Sequence, residues 1–124
     1  MRLTGLTPML EVDDVQLTID FYSTVLGFEC AGRFPDDESP AWALLKHDDV
    51  EIMFTSRNAH STIEEPVMTG SLYIDSDNVD EMWSLVKDKA TIEYPIENFD
   101  YGMREFAIRD CNGYLIQFGA EIQQ

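Results

Sequence analysis

Two histidines, two cysteines and several aromatic residues beside carboxylates are the side chains whose types and spacing could do chemistry in this chain. His47 precedes Asp48-Asp49 in what reads as a hairpin turn, and His60 lies in a Ser- and Thr-containing connecting segment, so neither is placed to face a pocket. No Ser or Cys stands at a recognisable spacing from a histidine and a third group, so no activated nucleophile is indicated. Cys30 and Cys111 lack metal-type spacing, allow at most one disulfide, and read as two free thiols. Cys111 has only Arg109 close by to favour its thiolate. The aromatic residues carry more. Trp42 follows the Pro-bounded loop Pro35-Asp36-Asp37-Glu38-Ser39-Pro40, and Tyr101 follows Glu97-Asn98-Phe99-Asp100. Each joins a flat π surface to neighbouring carboxylates, which suits a planar cationic ligand held by stacking and cation–π attraction. Phe54, Tyr73, Phe99, Phe106 and Phe118 are further candidates to line a pocket, with ordinary core packing as the competing role. The candidate ligand-binding set is Trp42, Tyr101, Phe54, Tyr73, Phe106, Asp36, Asp37 and Asp100.

The charge points the same way. The 124 residues carry 24 Asp and Glu against 8 Lys and Arg, a net charge of -16. An acidic surface repels phosphates and anionic lipid, which disfavours nucleic acid and membrane partners, and it concentrates cationic ligands. The same acidity also serves solubility. With 44% hydrophobic and 11% aromatic residues, the chain is too apolar to be disordered and long enough for a real core. No apolar run reaches the roughly 18 residues of a membrane span, and Met1–Gly5 lacks the apolar stretch of a secretory signal. These features lead us to expect a soluble cytoplasmic domain.

The elements that must position these residues come as a repeat. Thr7–Val12 reads as a strand, Asp14 as a helix N-cap, and Val15, Ile19, Tyr22 and Leu26 as the apolar face of a helix that stops at Gly27. Shifted by 64 positions, Ser71–Asp75 reads as a strand and Asn78 as a cap, with Val79, Met82, Trp83 and Val86 as the second helix stripe. The same shift lays Trp42-Ala43-Leu44 on Phe106-Ala107-Ile108 and Val50–Phe54 on Tyr114–Phe118, with turns at His47–Asp49 and Asp110–Gly113. Each half is thus strand, helix, three strands. The expectation is an α+β fold within residues 1–124: a module over about 5–56, a linker over about 57–70, and a second module over about 71–121. The two βαβββ modules would form a curved mixed sheet with the helices outside and a concave cleft for a ligand.

Tandem modules with these motifs resemble the vicinal-oxygen-chelate superfamily of glyoxalases, extradiol dioxygenases and bleomycin-resistance proteins. The resemblance rests on Val12-Asp13-Asp14, Phe21-Tyr22 and Leu26-Gly27-Phe28 in the first module. In the second it rests on the run Tyr101-Gly102-Met103-Arg104-Glu105-Phe106-Ala107-Ile108-Arg109-Asp110 followed by Asn112-Gly113, which is similar to the bleomycin-resistance branch. Together it spans about Leu6 to Glu121. Enzymes of the superfamily chelate a divalent metal through His, Glu or Gln on the first and last strands of each module. The motifs put Thr7, Met53, Ser71 and Gln117 at those positions, which is no strong chelating set. The resemblance therefore implies a binder without metal or other cofactor rather than a catalyst. It implies a homodimer that sequesters a small, cationic aromatic compound, with aromatics sandwiching the planar part and acidic side chains meeting the cationic end. The alternatives are a glyoxalase- or dioxygenase-like metalloenzyme in a different register, and a metal-free enzyme.

Overall fold

Capping residues fix where both helices begin. Asp14 stands extended before α1 (Val15–Thr24) and its side chain accepts from the Leu17 amide at 2.9 Å, while Asn78 accepts from the Glu81 amide before α2 (Val79–Val86) at 3.1 Å. Such caps satisfy backbone donors that the first helical turn leaves unpaired, and contribute about 1 kcal/mol each. The chain leaves α1 through Gly27, whose φ of 77° is the left-handed conformation that favours glycine. The computed structural model describes residues 1–57, 60 and 64–123.

The strands are β1 (Met9–Val12), β2 (Glu29–Phe34), β3 (Trp42–His47), β4 (Val50–Ser56), β5 (Leu72–Asp75), β6 (Thr91–Asn98), β7 (Met103–Arg109) and β8 (Leu115–Glu121). They form two four-stranded mixed sheets with orders β1-β4-β3-β2 and β5-β8-β7-β6. In each, the first strand is parallel to the last of its module and the other pairings are antiparallel. The expected βαβββ arrangement is therefore present twice, and the fold is α+β. The chain divides into two compact units, Met1–Pro66 and Val67–Gln124. Part of the expected linker, residues 58, 59 and 61–63, lies outside the described residues. β1 and β5 start later than the sequence suggests, at Met9 and Leu72. Pro8 has no amide to donate, yet its carbonyl accepts from the Met53 amide at 2.9 Å, so the chain already runs beside β4 there.

Alternation along the strands gives each sheet a helix-packed face and a helix-free face. In the first unit Ala43, Leu45, Ile52 and Phe54 are buried on the side of α1, where the Tyr22 ring lies 4.9 Å from that of Phe54. In the second, Phe106, Ile108, Ile116 and Phe118 are buried beneath α2, with Trp83 5.1 Å from Phe106. Each such side chain contributes about 1.5–3 kcal/mol by leaving water.

One expectation needs correction. The 64-position shift holds for β1 and β4, since Met9 pairs with Met53 as Tyr73 pairs with Gln117. It fails for β3. Ala43 lies opposite Phe54, but Phe106, not Ala107, lies opposite Phe118. The first hairpin turns through Asp48-Asp49, with Asp48 at φ 52°; the second turns through Cys111-Asn112-Gly113, with Gly113 at φ 80°. That one extra residue moves the counterpart of Trp42 from Phe106 to Glu105, and a one-residue slip exchanges the faces of a strand. Trp42 opposite Thr55 on the helix-free face of the first unit thus matches Glu105 opposite Gly119 on the helix-free face of the second.

Candidate functional site

The helix-free face of the second unit gathers a hydrogen-bonded cluster around Glu105. Glu105 sits mid-strand in β7 and is only 1% exposed. Its neighbour on β8 is Gly119, which has no side chain to cover it. Tyr73 of β5 reaches across that gap and donates its hydroxyl to Glu105 Oε1 at 2.9 Å. From the other side, the Tyr94 hydroxyl of β6 donates to Glu105 Oε2. Gln117 Nε2 donates to the Tyr94 oxygen at 2.8 Å and lies 3.5 Å from Glu105 Oε2, while Ser71 Oγ donates to Gln117 Oε1 at 2.5 Å. Hydrogen bonds to a charged group contribute about 1.5–3 kcal/mol each, and a buried carboxylate without them would be strongly destabilising.

Tyr101 completes the cluster from a turn. The Phe99 amide donates to the Met103 carbonyl at 2.8 Å and the Gly102 amide to the Phe99 carbonyl at 3.1 Å, closing a tight connection between β6 and β7. Gly102, at φ 90°, supplies the conformation this turn requires. The turn holds Tyr101 parallel to Phe99, ring centroids 5.4 Å apart and planes inclined by 18°, and Phe99 in turn meets Tyr94 edge-on at 5.5 Å. Tyr101 is 61% exposed, so a large π face is open to solvent.

The electrostatics follow from this packing. Desolvation and then the bond to Glu105 raise the Tyr73 phenol above its ordinary range. Desolvation raises Tyr94 as well, with the bond from Gln117 opposing it. Tyr101 is pushed up to about 12, by desolvation first and then by the nearby Glu105 carboxylate. All three phenols stay protonated at neutral pH, and Tyr73 and Tyr94 donate to the carboxylate.

The sequence-derived candidates divide between the units. Tyr73 and Tyr101 meet around Glu105, and exposed Asp100 precedes Tyr101 in the turn. Trp42 belongs to the first unit, half-buried on the helix-free face with its ring over Gly32, where an added Cβ would be 3.6 Å away. Asp36 pairs with Arg33 at 3.1 Å, and Asp37 accepts from the Ser39 amide at 2.8 Å beside a surface depression that Gln16, Arg33 and Glu38 also line. Phe54 and Phe106 are fully buried on the helix-packed faces, where they fill the two cores. Glu105, Tyr94 and Gln117 were not among the ligand-binding candidates. The one available signal was an acidic residue directly before the apolar run Phe106-Ala107-Ile108.

His47 ends β3 on the helix-packed side, 5.3 Å from the Phe28 ring and 3.0 Å from Asp48, and His60 is exposed. Cys30 and Cys111 are both exposed and are not joined in a disulfide. The positions where the resemblance implies metal ligands do not fit a divalent ion. Met53 offers a thioether and Thr7 a hydroxyl, while the Ser71 hydroxyl and the Gln117 amide are already bonded to each other and to Tyr94. Among the described residues, no three His, Cys, Asp or Glu side chains are grouped to hold a metal. No helix among them is long and apolar enough to cross a membrane.

A family model described as the Glyoxalase/Bleomycin resistance protein/Dioxygenase superfamily matches residues 6–118. Among solved structures, TioX from Micromonospora sp. ML1 is similar at a TM-score of 0.78 and 20% identity, over 96% of this chain and 99% of its own. A bleomycin resistance determinant encoded on the transposon Tn5 is similar at 0.75 and 20% identity, over 98% of this chain and all (100%) of its own. A glyoxalase/bleomycin resistance protein/dioxygenase from Nocardioides is similar at 0.76 and 17% identity, over 99% and 86%. These likenesses establish the fold. No curated protein matches the sequence.

Proposed function

Because the chain belongs to the Glyoxalase/Bleomycin resistance protein/Dioxygenase superfamily, we propose that it is a non-catalytic member that binds and sequesters a small cationic aromatic compound. The observation that carries this reading is the exposed Tyr101 ring, stacked on Phe99 beside the buried Glu105 carboxylate. A planar cation laid on that ring gains stacking and cation–π attraction of about 1–2 kcal/mol. The carboxylate behind it adds an attraction strengthened by low local dielectric. Tyr73 and Asp100 are the companion contacts, Trp42 with Asp36 and Asp37 supplies a second aromatic and acidic region, and Phe54 and Phe106 hold the strands from behind. The net charge of -16 favours capture of a cation, and the shared fold with a bleomycin resistance determinant agrees with an antibiotic-type ligand. The weak donors at the metal positions favour binding without a metal-dependent step.

We further read the protein as a cytoplasmic homodimer. Met9 and Phe34, on the helix-free face of the first unit, are 57% and 71% exposed, apolar surface that a second copy would cover. Equilibrium dialysis against a bleomycin-type drug, with mass spectrometry of the recovered drug, tests the reading. Stoichiometric retention of chemically unchanged drug is expected. No retention, or recovery of an altered product, would overturn it.

A further inference from the structure

Resting on that binding reading, we propose that the cation accepted beside Tyr101 is one that donates N–H hydrogen bonds, an aromatic amidinium or guanidinium, and that Glu105 selects it through the hydroxyl of Tyr73.

Among the described residues, Glu105 has no countercharge paired with it. Glu105 is 1% exposed, and among the described residues the groups that hydrogen-bond it are Tyr73, Tyr94 and Gln117, all neutral. The cations that share its strand are committed elsewhere. Arg104 holds Asp80 at 2.8 Å and Asn98 at 3.0 Å, and Arg109 holds Glu93 at 2.8 Å. The carboxylate is thus stabilised by neutral donors alone, and a cation placed on the cluster would be attracted strongly.

That cation meets the Tyr73 hydroxyl rather than Glu105 itself. A phenol that has given its only proton to a carboxylate keeps lone pairs that can accept, and the carboxylate polarises the phenol so that it accepts more strongly. The Tyr94 oxygen already accepts from Gln117. The oxygen left to accept is that of Tyr73, a residue 42% exposed, near the 61% exposed Tyr101. An acceptor with no proton left to donate suits a planar cation with N–H groups. A quaternary ammonium has none to give and would gain only the π contact and unspecific attraction. Glu105 is therefore a positioning residue, and its signature is a preference between two cations rather than affinity for either.

The test titrates two bicyclic aromatic cations of similar size, naphthamidine and N-methylquinolinium, into the full-length wild-type protein, Glu105→Gln and Tyr73→Phe. Wild type is expected to bind naphthamidine about tenfold or more tighter, as one charge-assisted hydrogen bond warrants. Glu105→Gln should bring the two affinities to within about twofold, and Tyr73→Phe, which keeps the ring and the fold, should reduce the preference severalfold. Equal binding of both cations by wild type, or an unchanged preference in Tyr73→Phe, overturns this inference and leaves the binding reading standing. Failure of both cations to bind overturns the two together.

Discussion

The hydroxyl of Tyr73 lies 2.1 Å from where a Cβ on Gly119 would stand. Tyr73 can cross β8 to reach Glu105 only because that position has no side chain. The first unit places Thr55 at the matching place, opposite Trp42, and its helix-free face carries Met9, Met53, Leu44 and Phe34 where the second carries phenols, an amide and a carboxylate. One backbone frame therefore supports a patch of apolar side chains in one unit and a hydrogen-bonded polar cluster in the other.

Gly119→Ala should displace Tyr73 and break its bond to Glu105. The expected loss of stability is about 1–3 kcal/mol, the penalty of depriving a buried acceptor of one partner, read as a lower denaturant midpoint. Tyr73→Phe should lose a similar amount, and the double variant little more than either alone, since both remove the same hydrogen bond.

Alkaline titration followed by tyrosinate absorbance should show Tyr73, Tyr94 and Tyr101 ionising above the ordinary phenol range, with Tyr101 near 12. A raised folded-state value means the native protein holds the proton more tightly than the unfolded chain. The resulting stability is present below about pH 10 and is lost as pH rises through the folded values. Normal titration of all five tyrosines would contradict the cluster.

At the acid end, hydrogen bonds from Arg104 and Arg109 hold the Asp80 and Glu93 carboxyls below the usual carboxylate range. Their contribution is present above about pH 4 and fades as pH falls through the depressed values. Asp80→Asn should flatten the acid side of the stability–pH profile, measured by melting at several pH values, while leaving the alkaline side unchanged. Both pairs are solvent-exposed, so the change should be small and should shrink further in high salt.

Much of the fold was legible in the sequence. The caps Asp14 and Asn78, the stop at Gly27 and the stripes Val15-Ile19-Tyr22-Leu26 and Val79-Val86 are local signals, and the residues they mark are capped or buried as expected. Tyr101 was legible as an exposed aromatic because turn chemistry is also local. Glu105 was not. Which face a strand residue occupies depends on register, and the extra residue in the Cys111-Asn112-Gly113 turn made self-comparison lay Trp42 on Phe106. The union of Tyr73, Tyr94, Glu105 and Gln117 joins four strands that only long-range pairing brings together.

If acidity steers the ligand, raising salt from low to physiological should slow association of an aromatic cation severalfold and alter dissociation little, because exposed charges are screened beyond about 8–10 Å. Stopped-flow fluorescence reads this directly. A salt-independent association rate would assign the charge to solubility.

The central claim is that Tyr101 is a ligand surface and not a structural one. Isothermal titration of a bleomycin-type drug into wild type and Tyr101→Ala, paired with melting curves, tests it most directly. At 61% exposure the ring contributes little to the core, so the account predicts a nearly unchanged melting temperature and an affinity about tenfold lower. Unchanged affinity with a collapsed melting temperature would contradict it.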